Sequence, residues 1–477
     1  MKRNKYVVGI DGGSQSTKVV IYDLSGNVIS LGKQNLRPMQ TPGDGIVEHP
    51  DDDLWASLIK ASEQALAGFP GEKEEIIGVG LCTIRFCRCL LKKNGELAAP
   101  VMSWMDDRVS KPYEHNNPDA AYVTASSGYI THRLTGEFRD TSANYQGMWP
   151  INTDTWNWSK EPSILEHYNI PREMLFELQP PGSILGSITK AASEATGIPV
   201  NIPVVATAND KAVEALGAGL LEENRALISL GTYIAGMVPS QINIKEPSDF
   251  WTNFASVPGN YLLESNGIRR GMWMVSWFTD LFGKDLISQA EAQQMSPEEI
   301  LNQEAGQNVP AGSDGLITIL DWLAPADKAF RKGMMIGFDE RHTRAHMYHS
   351  ILEGIAMTMK NYLDALFAER NMEMKEIIIS GGGSNGDIMM QMMANVFGVP
   401  AIRNEVNGSA SLGAAINTAV ALNEYTSYTV AIENMVREKD CFSPDADKYG
   451  FYNKLNAEIY SQTANYLDGL LKKMYSL

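Results

Sequence analysis

Residues suited to phosphate binding follow the first predicted strand of the chain. The run Tyr6-Val-Val-Gly-Ile-Asp-Gly-Gly-Ser-Gln-Ser-Thr-Lys18 places Asp11 at the carboxyl end of a buried strand. Gly12 and Gly13 then let the backbone turn sharply and approach a ligand closely. Because a second strand, Val19–Tyr22, returns from this turn, the glycines lie at a hairpin tip. The pattern fits a phosphate cradle beside a carboxylate that holds Mg²⁺ through water, although glycine-rich hairpins also serve as plain turns.

A second acidic residue, Asp210, lies at a predicted strand-to-helix junction. Ile202–Ala208 has the composition of a buried strand, and Val213, Leu216 and Leu220 recur after it at helical spacing. An aspartate here can accept the proton of a hydroxyl group that attacks a phosphoryl group. It can equally be the N-cap of its helix. Taken alone, the capping role is the simpler interpretation.

Two further strand-to-turn elements carry glycine and hydroxyl residues. One runs from a strand into Gly231-Thr232 and back into a strand, a weak echo of the opening hairpin that suggests an internal duplication. The other runs from Ile377–Ile379 into the loop Ser380-Gly-Gly-Gly-Ser-Asn-Gly-Asp387. Each is a weak signal alone, but their order over two similar halves predicts a nucleotide clamp between two domains. The helix after the last loop has a core-type apolar stripe: Met389, Met392, Met393, Val396 and Phe397.

Length and composition set the class of protein. The chain has 477 residues, of which 44% are hydrophobic and 20% charged, and a formal net charge of −17. Such a length predicts two or three domains, with alternating strands and helices in the first part and a boundary near residues 221–225. The acidic balance argues against nucleic acid and anionic membranes as partners but not against ATP. No apolar run reaches the length of a membrane span.

The four cysteines do not form a disulfide framework. Cys82, Cys87 and Cys89 cluster, whereas Cys441 stands apart. A zinc site at the cluster would lack a nearby fourth ligand, so packing is the simpler interpretation. This usage favours a reducing cytoplasm as the location of the protein.

Taken together, the motifs resemble the FGGY carbohydrate kinases, a family that includes glycerol kinase and xylulokinase, from Tyr6 to about Leu422. The nearest fit is to a sugar-kinase branch of unknown substrate. Four stretches carry the resemblance and two more support it: Gly9–Lys18, Val204–Lys211, Ile228–Thr232 and Ile378–Asn385, with Gly337–Glu353 and Ser409–Ala415.

The resemblance implies an α/β fold of the actin and hexokinase superfamily, with two ribonuclease-H-like domains around an ATP cleft. The N-terminal domain would span residues 1–222 and contain the sugar site, the first phosphate loop and the catalytic aspartate. The C-terminal, nucleotide-binding domain would span residues 223–477. The implied reaction is ATP-dependent phosphorylation of a small sugar or polyol, such as a ketose, with Mg²⁺. A homodimer is the expectation from the family.

The resemblance also assigns roles residue by residue. Asp210 matches the catalytic base, and Asp11 matches the aspartate that organises Mg²⁺. Gln15 stands where the phosphate loop usually has threonine, but an amide can also donate to a phosphate. The matches for nucleotide contacts are Gly13, Ser14, Gln15, Ser16, Thr17 and Lys18 in the first loop, Gly231 and Thr232 in the second, and Gly382, Gly383, Asn385 and Gly386 at the adenosine site.

The sugar side departs from the family pattern. Arg85 matches an arginine of glycerol kinases, but Phe86 replaces the acidic or histidine partner of that arginine. An arginine can hydrogen-bond two adjacent hydroxyls or a carboxylate, and a phenylalanine offers an apolar face to carbon atoms. Trp104 and Asp106 keep the Trp-x-Asp-x-Arg pattern, so Trp104 is expected to pack on the sugar and Asp106 to accept its hydroxyls. Alternatively, Arg85 is paired at the surface and Trp104 is simple core.

The segment between Arg108 and Tyr129 is much shorter than the family pattern, so this part of the sugar domain is expected to be missing or remodelled. Two other functions remain open on the same fold: a catalytically weak sugar sensor and an actin- or chaperone-like ATPase. The retained Asp11 and Asp210 argue against the sensor, and the Trp104–Arg108 pattern argues against the ATPase.

Overall fold

Two β-sheets flanked by helices form the fold of this computed structural model, which describes residues 4–477. Met1–Arg3 of the predicted N-terminal domain lie outside the described residues. The strands of the first half are β1 (Tyr6–Gly12), β2 (Ser16–Asp23), β3 (Val28–Asn35), β4 (Ile76–Thr83), β5 (Cys89–Leu91), β6 (Tyr122–Thr124), β7 (Arg139–Thr141), β8 (Ile151–Asn152), β9 (Asn157–Trp158), β10 (Glu177–Gln179), β11 (Ile184–Ser187) and β12 (Pro203–Asn209). Those of the second half are β13 (Arg225–Leu230), β14 (Ile234–Ser240), β15 (Phe250–Phe254), β16 (Tyr261–Ile268), β17 (Ile317–Ile319), β18 (Met334–Ile336), β19 (Glu376–Ser380), β20 (Ala401–Asn404) and β21 (Glu438–Phe442).

The helices confirm the predicted α/β class. They are α1 (Asp53–Ala67), α2 (Ser126–Thr135), α3 (Pro162–Tyr168), α4 (Lys190–Thr196), α5 (Asp210–Gly217), α6 (Trp273–Gln293), α7 (Pro297–Asn308), α8 (Arg344–Glu369), α9 (Asp387–Phe397), α10 (Ala410–Ala421), α11 (Tyr428–Met435), α12 (Ala446–Leu455) and α13 (Ser461–Tyr475). The predicted apolar stripe on α9 is confirmed, since all five of its side chains are buried. None of the helices within residues 4–477 is long and apolar enough to cross a membrane.

Sheet topology brings the predicted site residues to two facing strand edges. The first sheet has the order β11-β12-β4-β1-β2-β3, and β12, β4 and β1 run parallel. The second has the order β15-β16-β14-β13-β19-β20-β21, with β13, β19 and β20 parallel. Ligands bind at the carboxyl ends of parallel strands, which is where Asp11 and Asp210 lie in the first sheet and Gly231 and Gly381 in the second.

The strand predicted after β4 is shorter than expected. The sequence predicts a strand over Arg85–Leu91, but the chain becomes extended and paired as β5 only at Cys89. The reason lies at Phe86, whose φ of 67° is in the left-handed region. A bulky side chain rarely adopts this conformation, and the turn it creates separates β4 from β5.

The clustered cysteines contribute to the core. Cys82, Cys87 and Cys89 are buried and carry free thiols, and the Cys82 thiol donates a hydrogen bond to the Ile10 carbonyl at 3.3 Å. Within residues 4–477, no group of three or more His, Cys, Asp or Glu side chains is arranged to hold a metal ion. The three buried thiols contribute to the packing of the core.

Helices α5 and α10 cross at very close range between the two sheets. A Cβ on Gly413 of α10 would lie 2.0 Å from the Val213 carbonyl oxygen, and one on Gly217 of α5 would lie 2.0 Å from the Ser409 carbonyl oxygen. Only glycine permits this approach. The predicted boundary at residues 221–225 falls between α5 and β13, but α10 returns from the second half to pack on the first sheet and on α5.

Gly413→Ala is expected to lower the free energy of unfolding by about 1–3 kcal/mol, because the new methyl group would force the two helix backbones apart. Urea denaturation followed by circular dichroism measures this change. Gly469→Ala in α13 is the matched control, since a Cβ there meets no described atom within 4 Å. It should instead stabilise the helix by about 1 kcal/mol. Equal midpoints for the two variants would contradict the close crossing.

Candidate active site

Asp210 begins α5 and keeps one carboxylate oxygen free. Asn209 is the N-cap of this helix, because its side chain accepts a hydrogen bond from the Ala212 amide at 3.1 Å. The capping alternative for Asp210 is therefore wrong. Asp210 Oδ1 is buried and finds no hydrogen-bond partner in the described part of the chain. Burial raises the pKa of Asp210, against the lowering effect of Arg85 and Lys211. A buried acceptor left unpaired is unfavourable, and a bound hydroxyl group would satisfy it.

Asp11 lies near Asp210 at the same strand edge. It is 9% exposed, and Lys18 Nζ is 3.7 Å from its Oδ2. Burial raises the pKa of Asp11 to about 6; Lys18 lowers it, while Asp210 and Glu214 raise it further. Within residues 4–477 no three acidic, histidine or cysteine side chains form a metal site, so Asp11 is a residue that could hold Mg²⁺ through water rather than as part of a complete set of protein ligands.

The first phosphate loop is the predicted hairpin tip. Strands β1 and β2 pair as far as Gly12 and Thr17, and the Gly13 amide donates to the Ser16 carbonyl at 3.1 Å. Gln15 is exposed at the tip. Thr17 departs from the prediction: its hydroxyl is buried 2.7 Å from Ser57 Oγ. Because side chains alternate along a strand, Thr17 points into the domain, and this geometry argues against its hydroxyl as a phosphate contact.

The second and third glycine loops meet at the start of α6. The carbonyls of Gly231 and Thr232 accept hydrogen bonds from the Met272 amide at 3.0 Å and the Gly271 amide at 2.7 Å. A Cβ on Gly383 would lie 2.8 Å from Met272 Sδ. The two loops therefore form one continuous surface on the second sheet.

Two side chains from outside the third loop hold it in place. Asn407 donates to the Gly381 carbonyl at 3.0 Å and to Asn385 Oδ1 at 2.8 Å. Arg403 donates to the carbonyls of Ser384 and Asn385. Lys18 of the first loop lies 3.8 Å from the point that a Cβ on the neighbouring Gly408 would occupy. The first and third loops thus face each other across the cleft.

A buried polar network fixes α5 to the second sheet. Lys211 Nζ donates to Glu214 Oε2 at 2.9 Å and to Ser229 Oγ at 2.8 Å. Ser380, the residue before Gly381, donates to Glu214 Oε1 at 2.6 Å. Burial opposes ionisation of both Lys211 and Glu214. The Lys211 charge and the Ser380 hydroxyl nevertheless hold the pKa of Glu214 below its usual value. The helix that begins with Asp210 is therefore tied to the strands that end at the second and third loops.

The sugar side contains an ion pair between the two halves. Both terminal nitrogens of Arg85 donate to Glu264 of β16, at 2.8 and 2.7 Å. The guanidinium lies 4.7 Å from the ring centre of Trp251 and 5.2 Å from that of Phe86, within range of a cation–π interaction. Arg85 is only 14% exposed, so the alternative of a paired surface arginine does not describe it.

Trp104 and Asp106 differ in their exposure to solvent. Trp104 is 47% exposed, so it is not simple core and remains open to a ligand. The Asp106 side chain has no exposed surface: Oδ2 accepts from the Val47 amide and Arg108, and Oδ1 accepts from the backbone and side chain of Arg108. This geometry argues against Asp106 as an acceptor for sugar hydroxyls. Instead, Asp106 shapes the turn after Trp104.

Comparison with known proteins decides the family. A model described as the N-terminal domain of the FGGY family of carbohydrate kinases matches residues 6–118 and 112–217, and its C-terminal counterpart matches residues 226–422. The chain belongs to the FGGY family of carbohydrate kinases. It is 52% identical over 473 residues to the uncharacterised sugar kinase YgcE of Escherichia coli (strain K12), covering 99% of this chain and 96% of that protein.

Solved structures of other FGGY kinases share the fold. Xylulose kinase from Rhodospirillum rubrum is 21% identical with a TM-score of 0.83, over 98% of this chain and 100% of that one. Gluconate kinase from Lactobacillus acidophilus is 20% identical with a TM-score of 0.84, over 99% and 100%. The predicted two-domain fold of the actin and hexokinase superfamily is confirmed. The protein is a carbohydrate kinase, and membership of this family implies ATP as its phosphoryl donor.

Three important residues of this FGGY kinase site lay outside the sequence prediction. Glu264 directly follows the apolar run Tyr261-Leu-Leu263 in its strand, where an acidic residue signals a buried charge that needs a partner. Glu214 lies four residues after Asp210 on the same short helix, where an acidic residue is usually exposed. Asn209 directly precedes that helix and caps it. Asparagine is a residue type that favours N-caps, and this preference is the sequence signal for its role.

Asp11→Asn is expected to stabilise the protein at neutral pH in the absence of nucleotide and Mg²⁺. The raised pKa, about 6 against 3.8, means that the folded protein holds the proton more tightly than the unfolded chain. The free energy of unfolding of the wild type therefore falls as the pH rises from about 4 to 6. After allowing for Lys18, which loses its partner, we expect a gain of about 1–3 kcal/mol at pH 7.5 and none near pH 4.

Urea denaturation at both pH values measures the effect. Asp339→Asn is the opposite control, because Arg341 lowers the pKa of the exposed Asp339 to about 2; this variant should lose a little stability at neutral pH. A gain for Asp11→Asn that is equal at both pH values would contradict the assignment of a raised pKa to Asp11.

Proposed function

We propose that this FGGY kinase transfers the γ-phosphoryl group of ATP to a hydroxyl of a small sugar or polyol, with Asp210 as the general base. The observation that supports this most is the buried Oδ1 of Asp210, unpaired among the described residues, at the carboxyl edge of the first sheet. A hydroxyl group is a poor nucleophile until its proton has an acceptor. The family supplies the reaction class, and this oxygen supplies the acceptor.

In the proposed step, the substrate hydroxyl donates a hydrogen bond to Asp210 Oδ1. Asp210 takes the proton as the new oxygen–phosphorus bond forms and the bond to ADP breaks. Burial favours this role because it raises the pKa of Asp210 toward the operating pH. The ties of Lys211 and Glu214 to the second sheet hold the carboxylate in place during the transfer.

The phosphates would lie between the facing loops of the two halves. The contacts we propose in the first loop are Gly13, Ser14, Gln15, Ser16 and Lys18, and those in the second are Gly231 and Thr232. Thr17 would contribute its backbone alone. When bound, Mg²⁺ neutralises charge on the phosphates, and Asp11 is the side chain that would hold it.

The adenosine would lie on the third loop. A Cβ on Gly382 would meet no described atom within 4 Å, so this part of the loop presents open backbone to the cleft. Gly383, Asn385 and Gly386 continue the same surface. We infer that the base and ribose lie there, with the hydrogen bonds of Asn407 and Arg403 holding the loop in place.

The sugar would lie between Asp210 and the aromatic residues Phe86 and Trp104. Phe86 and the neighbouring Trp251 have ring centres 6.2 Å apart, which offers an apolar wall to the carbon atoms of a sugar. Arg85 would donate to sugar oxygens from the same wall. The domain division at residues 222 and 223 and a homodimer remain predictions.

Asp210→Asn is expected to lower kcat by about 10²–10⁴-fold, the usual contribution of a general base. ADP formation by the wild type is measured first with a panel of ketoses, polyols and sugar acids, and then by the variant with the best substrate. Affinity for ATP should change little, because Asp210 contacts the acceptor. Asp447→Asn is the matched control: Asp447 is exposed in the first turn of α12, and its loss should leave kcat unchanged.

Sugar-dependent turnover that survives Asp210→Asn undiminished would overturn the assigned base. Steady ATP hydrolysis that no sugar stimulates, or sugar binding without turnover, would favour the ATPase or sensor function instead.

A further inference from the structure

The ion pair between Arg85 and Glu264 limits what the sugar side can bind. Its two parallel hydrogen bonds, at 2.8 and 2.7 Å, use both terminal nitrogens of Arg85 toward one carboxylate. Glu264 is 2% exposed and Arg85 14%. Such a bidentate pair is strong and directional. Arg85, which the sequence predicts as a substrate-binding residue, is therefore already neutralised by Glu264.

The second cation near Asp210 also has an acidic partner. Arg85 and Lys211 are the two cations that lower the pKa of Asp210 most. Lys211 is bound to Glu214 at 2.9 Å. Glu264 and Glu214 raise the pKa of Asp210 further. Both of these cations thus already have a carboxylate partner, Glu264 for Arg85 and Glu214 for Lys211, so neither is free to balance the charge of an anionic substrate.

From this charge arrangement we infer that Glu264 is a specificity-determining residue, which restricts the acceptor to uncharged polyhydroxy compounds and excludes sugar acids. The inference rests on the proposed function, since it concerns the acceptor that Asp210 would deprotonate. A hydroxyl group both donates and accepts, so a diol can accept from Arg85 and donate to Glu264 without breaking their charge balance. A carboxylate only accepts. It would have to displace Glu264 from Arg85 and leave that buried glutamate without a partner.

The aromatic residues around the pair fit the same class of substrate. Trp251 is the cross-strand neighbour of Glu264, so both side chains lie on the same face of the sheet. Together with Phe86, Trp251 surrounds the guanidinium with aromatic faces. Aromatic side chains next to the pair can pack on the C–H groups of a polyol, but they provide no counter-charge for an anion.

Matched pairs of acceptors test the inference directly. Each pair has the same carbon skeleton and differs at one end, as in xylitol and xylonate, glucitol and gluconate, or glycerol and glycerate. For the wild type we expect kcat/KM for the best neutral member to exceed that of its matched acid by about tenfold or more. Glu264→Gln frees Arg85 from its negative partner, so the ratio should fall by about tenfold, mainly through a lower KM for the acid.

Glu246→Gln is the control, because Glu246 is exposed on the same half of the chain and its loss should leave the ratio unchanged. A preference of the wild type for the acids would overturn the inference and leave the kinase function intact; this arm needs no variant. A ratio that Glu264→Gln does not change, in a variant with the wild-type unfolding midpoint, would overturn the role of Glu264. If no compound of either kind consumes ATP, the proposed function fails, and the inference fails with it.

Discussion

The first turn of α5 is the constraint on which the rest of the site depends. Lys211 and Glu214 pair with each other inside the protein and extend to Ser229 and Ser380 in the second sheet. The glycine crossing of α5 with α10 prevents the helix from shifting sideways. Asp210, one residue before Lys211, is therefore fixed by contacts made on both sides of the cleft. Its free oxygen is a consequence of this arrangement, because its neighbours already satisfy one another.

This constraint also explains the unusual ionisation in the cleft. Asp11, Asp210 and Glu214 lie close enough to affect one another's pKa, although only Glu214 has a buried cation as its direct partner. Burying carboxylates without full compensation is unfavourable, and such groups concentrate at functional sites. In this kinase the missing compensation is what we expect a substrate hydroxyl and a nucleotide-bound cation to supply. The protein is therefore less stable at the point where chemistry is proposed than full compensation of these charges would make it.

Local sequence was sufficient for the parts of the site that depend on backbone geometry. The hairpin at Gly12 and Gly13, the strand into Gly381 and the position of Asp210 after β12 all follow from strand patterns and from where parallel strands end. Side-chain partners across the cleft were not predictable in this way. Arg85 pairs with Glu264, which is 179 residues away in the sequence. A pattern of neighbouring residues cannot predict such a contact.

The departures from the predictions have a similar physical origin. The motif places Thr17 in the phosphate loop, but strand alternation turns its hydroxyl toward Ser57. The resemblance offers Asp106 to a sugar, yet the side chain of Arg108 donates to both of its carboxylate oxygens. The turn at Phe86 shortens the strand predicted over Arg85–Leu91. In each case the residue type is compatible with two roles, and contacts with other parts of the chain determine which one the residue has.

The most direct test of the account is a single-turnover experiment with enzyme in excess over radiolabelled ATP and a saturating sugar substrate. The phosphorylated sugar formed is quantified for the wild type and for Asp210→Asn, with the affinities of both ligands measured separately. The account predicts one phosphorylated sugar per ADP in the wild type. In the variant it predicts unchanged nucleotide binding but a transfer step slower by about 10²-fold or more. An equal rate of transfer in the two proteins would contradict it.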